Sequence, residues 1–65
     1  MQVIVNGAPQ EVAAATLAKT LVALGYADAI VATALTGEFV PARKRAATPV
    51  RDGDRIEILA PRQGG

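Results

Sequence analysis

The sequence predicts a two-layer α+β domain, with one main helix packed on one face of a mixed sheet of about four to five strands. Short segments rich in β-branched residues lie near both ends of the chain, turn residues separate them, and an apolar stripe at helical spacing lies between them. The 65 residues suffice for one small domain. The chain is 51% hydrophobic but only 3% aromatic, so we expect a small aliphatic core.

The first predicted elements form a β-hairpin. Residues 2–6 are rich in valine and isoleucine, which favours a strand. Asn6-Gly7 is a strong signal for a two-residue hairpin turn, so a second strand is expected over residues 9–12. Pro9 has no N–H group to donate to a neighbouring strand, which favours a position at the edge of the sheet.

A single helix is predicted from Thr16, as its N-cap, to about Leu24. Its apolar face comprises Leu17, Leu21 and Leu24, widened by Ala18 and Val22. Gly25, just beyond, is typical of a helix C-terminus. Because a helical crossover separates strands on its two sides, those strands can pair in parallel. The sheet face away from the helix is then open to solvent or to a partner.

The next predicted elements form a second hairpin. Residues 30–35 are predicted to form a buried third strand, and Thr36-Gly37 turns the chain into a fourth strand over residues 38–40. Threonine disfavours positive φ, so we expect this turn to differ in type from an asparagine-glycine turn. Pro41 ends the fourth strand.

A short helical turn is predicted over residues 42–47, followed by an extended segment at 48–50. The triplet Asp52-Gly53-Asp54 predicts a tight turn whose side chains bond their own backbone, because two carboxylates without further ligands make a poor site for calcium or magnesium. Residues 55–60 predict the last strand. Its two faces are expected to carry Ile56 and Ile58 on one side, and Glu57 and Leu59 on the other.

The composition excludes several kinds of active site. The chain contains no cysteine and no histidine, which rules out disulfides, thiol nucleophiles and histidine-based acid–base catalysis. The net charge of +1 gives no electrostatic case for binding nucleic acid or a membrane. The basic residues Arg43, Lys44 and Arg45 are interpreted as a solvated loop, with contact to an acidic partner as the alternative. With no leader or membrane span recognised, we expect a cytoplasmic protein.

The two terminal glycines, Gly64 and Gly65, are the most informative residues of the chain. Glycine has no Cβ, so such an end leaves its carboxylate sterically open and can enter narrow spaces. Residues 61–65, if extended, span roughly 16 Å. The pattern therefore indicates that chemistry takes place on the C-terminus, and that the chain is a substrate or carrier rather than a catalyst.

Four features together resemble a known family: the Asn6-Gly7 turn, residues 34–41, the Asp52-Gly53-Asp54 turn and the terminal Gly64-Gly65. In order and spacing they are similar to the ubiquitin-like β-grasp sulfur carriers, most closely those of thiamine biosynthesis, the ThiS type. The resemblance covers essentially the whole chain. It departs from the family pattern at Thr36, where asparagine is usual, and at Ala42, which shifts Arg43 by one position.

The resemblance implies a β-grasp domain over residues 1–60 and a flexible tail over residues 61–65. It also implies a reaction. An E1-like adenylating enzyme of the ThiF type uses ATP and magnesium to adenylate the carboxylate of Gly65. A cysteine desulfurase supplies persulfide sulfur that converts it to a thiocarboxylate, and a ThiG-type thiazole synthase takes the sulfur. No cofactor or metal is expected on the chain itself.

Two groups of residues are expected to recognise these partners. Arg62, Gln63 and Gly64 are predicted to thread into the partner's active site ahead of Gly65. The open face of the sheet is predicted to dock, through Leu59, Glu57, Ile4 and Phe39.

Three alternatives stay open on the sequence. One is a sulfur carrier for another pathway, of the molybdopterin synthase small-subunit type, although length favours the thiamine assignment. Another is a β-grasp docking module whose tail is never activated. The third is an enzyme, which the missing catalytic residues and the small volume of the chain disfavour.

Overall fold

The computed structural model describes residues 1–13 and 15–60. They contain a five-stranded mixed sheet. The strands are β1 (Gln2–Val5), β2 (Ala8–Glu11), β3 (Ala32–Leu35), β4 (Glu38–Val40) and β5 (Arg55–Leu59), in the order β2-β1-β5-β3-β4. β1 and β5 are parallel, and every other neighbouring pair is antiparallel. The predicted mixed sheet is confirmed, and the strand that contains Pro9 lies at its edge.

Both hairpins turn through two residues with positive φ. The values are 49° at Asn6 and 84° at Gly7, and 48° at Thr36 and 86° at Gly37. Positive φ at both central residues is the mark of a type I′ turn. The expectation that the Thr36 turn would differ in type is therefore wrong. The hairpin geometry prevails over the local preference of threonine.

The main helix, α1, spans Leu17–Ala23. Thr16 caps it as predicted, since its Oγ1 accepts a hydrogen bond from the Lys19 N–H at 3.2 Å. At the other end Gly25 has φ of 93°, its N–H donates to the Val22 carbonyl, and the Tyr26 N–H donates to the Leu21 carbonyl. These bonds form a Schellman motif, which explains why the helix stops where glycine follows it.

The core lies between α1 and one face of the sheet. Its buried apolar side chains come from β1, β4, β5 and the helix, and from two positions outside the strands and helices, Val12 and Val50. The full set is Val3, Val5, Val12, Leu17, Leu21, Val40, Val50, Ile56 and Ile58. Leu24 packs partly against them. Val22 does not, because its side chain is 60% exposed, so the prediction that it widens the apolar face of the helix is wrong.

The third strand is shorter and less buried than predicted. It begins at Ala32, and Ile30 lies outside it with 81% of its surface exposed. Only Thr33 is buried in this strand. The reason is that β3 turns one row of side chains to the core and the other row to the open face of the sheet.

The predicted helical turn is confirmed as a 3-10 helix over Ala42–Ala47, which packs against α1. The segment after it is extended as expected, with Pro49 bridged to Thr16. In the described part of the chain, no helix has the length and apolarity needed to cross a membrane.

Candidate functional site

The open face of the sheet carries the four residues predicted to dock. Burial alternates along β5, with Ile56 and Ile58 inside and the residues between them exposed. Strand register places Glu57 opposite Ala34, and Ala34 opposite Phe39 on its other side. Residues paired across strands share a face, so these three side chains form one row.

Two further predicted docking residues lie on the same face. Leu59 is paired with Ala32, one step along from the row that contains Glu57. Ile4 is paired with Arg55 on the far side of β5. Leu59 and Phe39 are the large apolar side chains that stand out, with 73% and 68% of their surfaces exposed, whereas Ile4 is half-buried.

A shallow depression of about 570 Å³ lies within this face. Phe39, Glu57 and Leu59 line it, together with the Asn6-Gly7 turn. A smaller hollow of about 330 Å³ beside it is lined by Ile4 and by Glu57. The structure therefore brings the predicted docking residues together around two adjoining hollows, with Glu57 at both.

The residues predicted to carry the chemistry lie outside the described residues. These are Arg62, Gln63, Gly64 and Gly65, together with the predicted flexible tail over residues 61–65. The described part of the chain ends beside the open face. Ala60 follows β5 directly, next to Leu59 at the wall of the larger depression.

Asn6 has a role that the sequence interpretation missed. Its Oδ1 accepts a hydrogen bond from the Ile58 N–H at 2.8 Å, and its Nδ2 donates to the Ile58 carbonyl at 3.1 Å. The Asn6-Gly7 pattern predicts a turn and says nothing about a partner 52 residues away. The side chain of a turn residue thus holds the last part of β5.

The basic cluster is divided by the fold. Arg43 and Lys44 are exposed, as a solvated segment requires. Arg45 is half-buried, and its guanidinium donates to the Thr33 Oγ1 at 3.0 Å and to the Val31 carbonyl at 2.6 Å. The interpretation of all three as solvated residues is therefore wrong for Arg45, which ties the 3-10 helix to β3.

The two aspartates near β5 bond to backbone groups. Asp54 accepts from the Arg51 N–H at 2.7 Å, as expected for a turn residue. Asp52 accepts instead from the Gln2 N–H at 2.7 Å, which fastens this loop to the start of β1. Within residues 1–13 and 15–60, no three potential metal-ligating side chains come together.

The fold and the chain length are similar to those of solved proteins. The family model described as "ThiS family" matches residues 3–65. A crystal structure of the thiamine biosynthesis protein ThiS from Geobacter metallireducens is similar with a TM-score of 0.82 and 38% identity, and covers 100% of both chains.

A second solved structure gives the same result. The solution structure of a thiamine biosynthesis protein from Geobacter metallireducens has a TM-score of 0.80 and 36% identity, covering 100% of this chain and 88% of that one. No curated protein matches the chain. The structural match confirms the ubiquitin-like β-grasp arrangement, and the family match extends over nearly every residue, so this chain belongs to the ThiS family.

Proposed function

We propose that this chain is a sulfur carrier of thiamine biosynthesis and that Gly65 is the residue that carries the sulfur. The observation that supports this most is the match to the ThiS family over residues 3–65, which includes the terminal glycines. The solved relatives from Geobacter metallireducens, described as thiamine biosynthesis proteins, support the same pathway. In this role the chain is a co-substrate of its partner enzymes rather than an enzyme.

The proposed reaction begins at the terminal carboxylate. A carboxylate is a poor acyl electrophile, so a ThiF-type E1-like enzyme with ATP and magnesium first joins the Gly65 carboxylate to AMP and releases pyrophosphate. A persulfide sulfur, provided through a cysteine desulfurase, then attacks the acyl carbon and AMP leaves. Cleavage of the sulfur–sulfur bond by a thiol leaves the thiocarboxylate, whose sulfur passes to a ThiG-type thiazole synthase.

The absence of cysteine from the sequence fits this chemistry. An activated acyl group on the tail would react with a nearby thiol of its own chain, because thiolates are strong nucleophiles. Here no such thiol competes. The activated carboxyl carbon is therefore left for the sulfur donor of the partner.

The open sheet face is the proposed docking surface for these partners. Leu59 and Phe39 expose large apolar side chains around one depression, and Glu57 provides a charge at its wall. Ile4 adds an apolar side chain at the neighbouring hollow. An apolar patch with a charged neighbour suits an interface whose centre excludes water and whose edge fixes orientation.

Docking on this face is compatible with delivery of the tail. Leu59 lines the depression and is also the last residue of β5. A partner bound there would receive Arg62, Gln63 and Gly64 next to its docking site. Glycine at position 64 then allows the chain to pass a narrow opening.

Intact-mass spectrometry tests the proposal. The chain is incubated with ATP, magnesium, a ThiF-type enzyme, a cysteine desulfurase, cysteine and a reducing thiol. We expect a mass gain equal to the exchange of one oxygen for sulfur, located at Gly65 and absent from a variant that lacks Gly65. An unmodified chain, with an enzyme set that converts its own carrier, would instead favour a docking module.

The pathway is tested separately by deletion of the gene. Thiamine auxotrophy is expected, and it should be relieved by the wild-type chain but not by the variant that lacks Gly65. Loss of molybdoenzyme activity without thiamine auxotrophy would move the assignment to the molybdopterin type of carrier.

A further inference from the structure

The Asn6 side chain takes the place of a peptide group at the end of β1. The parallel ladder between β1 and β5 contains hydrogen bonds from the Ile4 N–H to the Asp54 carbonyl and from the Asn6 N–H to the Ile56 carbonyl, both at 2.9 Å. The next donor along β5 is the Ile58 N–H. At this point the main chain of Asn6 has already turned away, with φ of 49°.

The carboxamide of Asn6 continues the ladder after the strand has ended. Its Oδ1 accepts from the Ile58 N–H at 2.8 Å and its Nδ2 donates to the Ile58 carbonyl at 3.1 Å. An amide side chain has the same donor and acceptor as a peptide unit. Both backbone groups of Ile58 are thereby satisfied on the edge where β1 no longer provides a partner.

These bonds lie at the last anchored part of β5. On its other edge β5 pairs with β3 as far as Leu59, which lies opposite Ala32. With Asn6 in place, the strand is held on both edges up to Ile58. Without the side chain, only β3 would hold the segment after Ile56.

The direction of this segment matters for a reaction at Gly65. When a partner's channel holds residues 61–65 extended over roughly 16 Å, a swing of about 20° at the end of β5 would move the far end of that segment by roughly 6 Å. Group-transfer reactions require the reacting atoms within a few ångströms of their productive positions. A loosely held strand end would therefore lower the fraction of docked complexes in which the carboxylate reaches the active site.

We infer that Asn6 is a positioning residue for tail delivery: its two hydrogen bonds to Ile58 fix the direction in which the chain leaves the body. This inference rests on the proposed function. Asn6 touches no reacting atom and acts through β5. The asparagine of the hairpin thus has two tasks, one in the turn and one at the base of the tail.

Two substitutions separate these tasks. Asn6→Gly removes both hydrogen bonds to Ile58, while glycine accepts the positive φ of the turn without strain. Asn6→Asp keeps an acceptor for the Ile58 N–H but places a second oxygen against the Ile58 carbonyl. Thr36→Gly is the matched control, because Thr36 occupies the same position of the other type I′ turn, with φ of 48°.

The first readout is amide hydrogen exchange in the free protein, which does not depend on function. In Asn6→Gly we expect the Ile58 amide to exchange about three to ten times faster than in wild type, beyond any change at Val3 and Val5. Asn6→Asp should show a smaller change at Ile58, since its acceptor is retained. In Thr36→Gly, the exchange rate of the Ile58 amide should change only as far as the global stability of that variant changes.

The second readout is the steady-state rate of adenylation by the ThiF-type enzyme, followed by pyrophosphate release. Asn6 also lines the larger depression of the open face, so KM reports any change in docking and kcat reports the positioning of the tail. In Asn6→Gly we expect kcat to fall by about threefold to tenfold. Thr36→Gly should retain wild-type kcat. Asn6→Asp should lie between them.

Two results would overturn the positioning role. One is an Ile58 amide that exchanges at the wild-type rate in Asn6→Gly. The other is a faster amide with kcat equal to that of Thr36→Gly, which would limit Asn6 to a structural role. If the wild-type chain itself is never adenylated, the proposed function fails and the positioning role fails with it. If the wild-type chain is adenylated and one of the two results above is found, only the positioning role fails.

Discussion

The hydroxyl of Thr36 donates a hydrogen bond to Oδ1 of Asp54 at 3.1 Å. It joins the turn between β3 and β4 to the loop that leads into β5, and the Thr36 N–H adds a bond to the Arg55 carbonyl at 2.7 Å. A β-branched residue with positive φ is an outlier on steric grounds. This hydrogen bond helps to explain how threonine is held in that conformation.

The balance between strain and hydrogen bonding at Thr36 can be measured with two substitutions. Thr36→Asn should raise the free energy of unfolding by about 0.5 kcal/mol, because asparagine tolerates positive φ and still offers a donor. Thr36→Val should lower it by about 1 kcal/mol, because the hydroxyl is lost and the strain stays. Urea denaturation checks both signs. In an Asp54→Ala background, Thr36→Val should cost less, and an equal cost in both backgrounds would show that the pair does not interact.

Arg45 should contribute to stability far more than its neighbours in the 3-10 helix. Arg45→Ala removes the bonds to the Thr33 hydroxyl and the Val31 carbonyl in a half-buried site. We expect a loss of about 1–3 kcal/mol in the free energy of unfolding. Lys44→Ala is the matched control, since Lys44 is exposed, and its effect should stay within about 0.5 kcal/mol. Equal melting temperatures for the two variants would contradict the assignment.

Leu59 should be a binding residue rather than a core residue. It is 73% exposed, so Leu59→Asp should leave the fold intact while weakening binding to the ThiF-type enzyme by about tenfold or more. Val22→Asp is a suitable control, because Val22 is 60% exposed on the helix, away from the open sheet face. Isothermal titration calorimetry gives both affinities. Similar affinities for the two variants would remove Leu59 from the docking surface.

Removal of Gly65 should separate folding from function. The five strands and the apolar core that the structure describes are built from residues before Pro61, so we expect the melting temperature of the truncated chain to equal that of wild type. We expect no thiocarboxylate on this variant. Thermal unfolding followed by circular dichroism, with mass spectrometry on the same sample, provides both measurements. A clear drop in melting temperature would mean that Gly65 contacts the body.

Local signals in the sequence predicted most of the fold. Asn6-Gly7 marked the first hairpin, Thr16 and Gly25 marked the two ends of the helix, and the alternation along β5 assigned its two faces correctly. Each of these depends on residues that are close in sequence. Propensity and spacing are therefore sufficient for them.

The features that the sequence did not predict depend on distant partners. The bonds of Asn6 to Ile58 and of Arg45 to Val31 require the sheet to be assembled before either partner is nearby. Val22 is exposed, whereas Leu17, Thr20 and Leu21 are the buried residues of the helix, and the spacing of apolar residues alone does not show where the buried face ends. The turn type at Thr36 was predicted wrongly for a related reason, since the conformation of Thr36 is imposed by the hairpin and by Asp54.

The central place of β5 also sets the order in which this protein can fold. β5 lies between β1 and β3 but is synthesised after both, so the two hairpins share no strand pairing until it is inserted. Contacts that join the ends of the chain span 50 and 52 residues, and closing such long loops slows folding. The N-terminus of a nascent chain leaves the ribosome first, so the chain cannot complete this sheet until Leu59 has also left the ribosome.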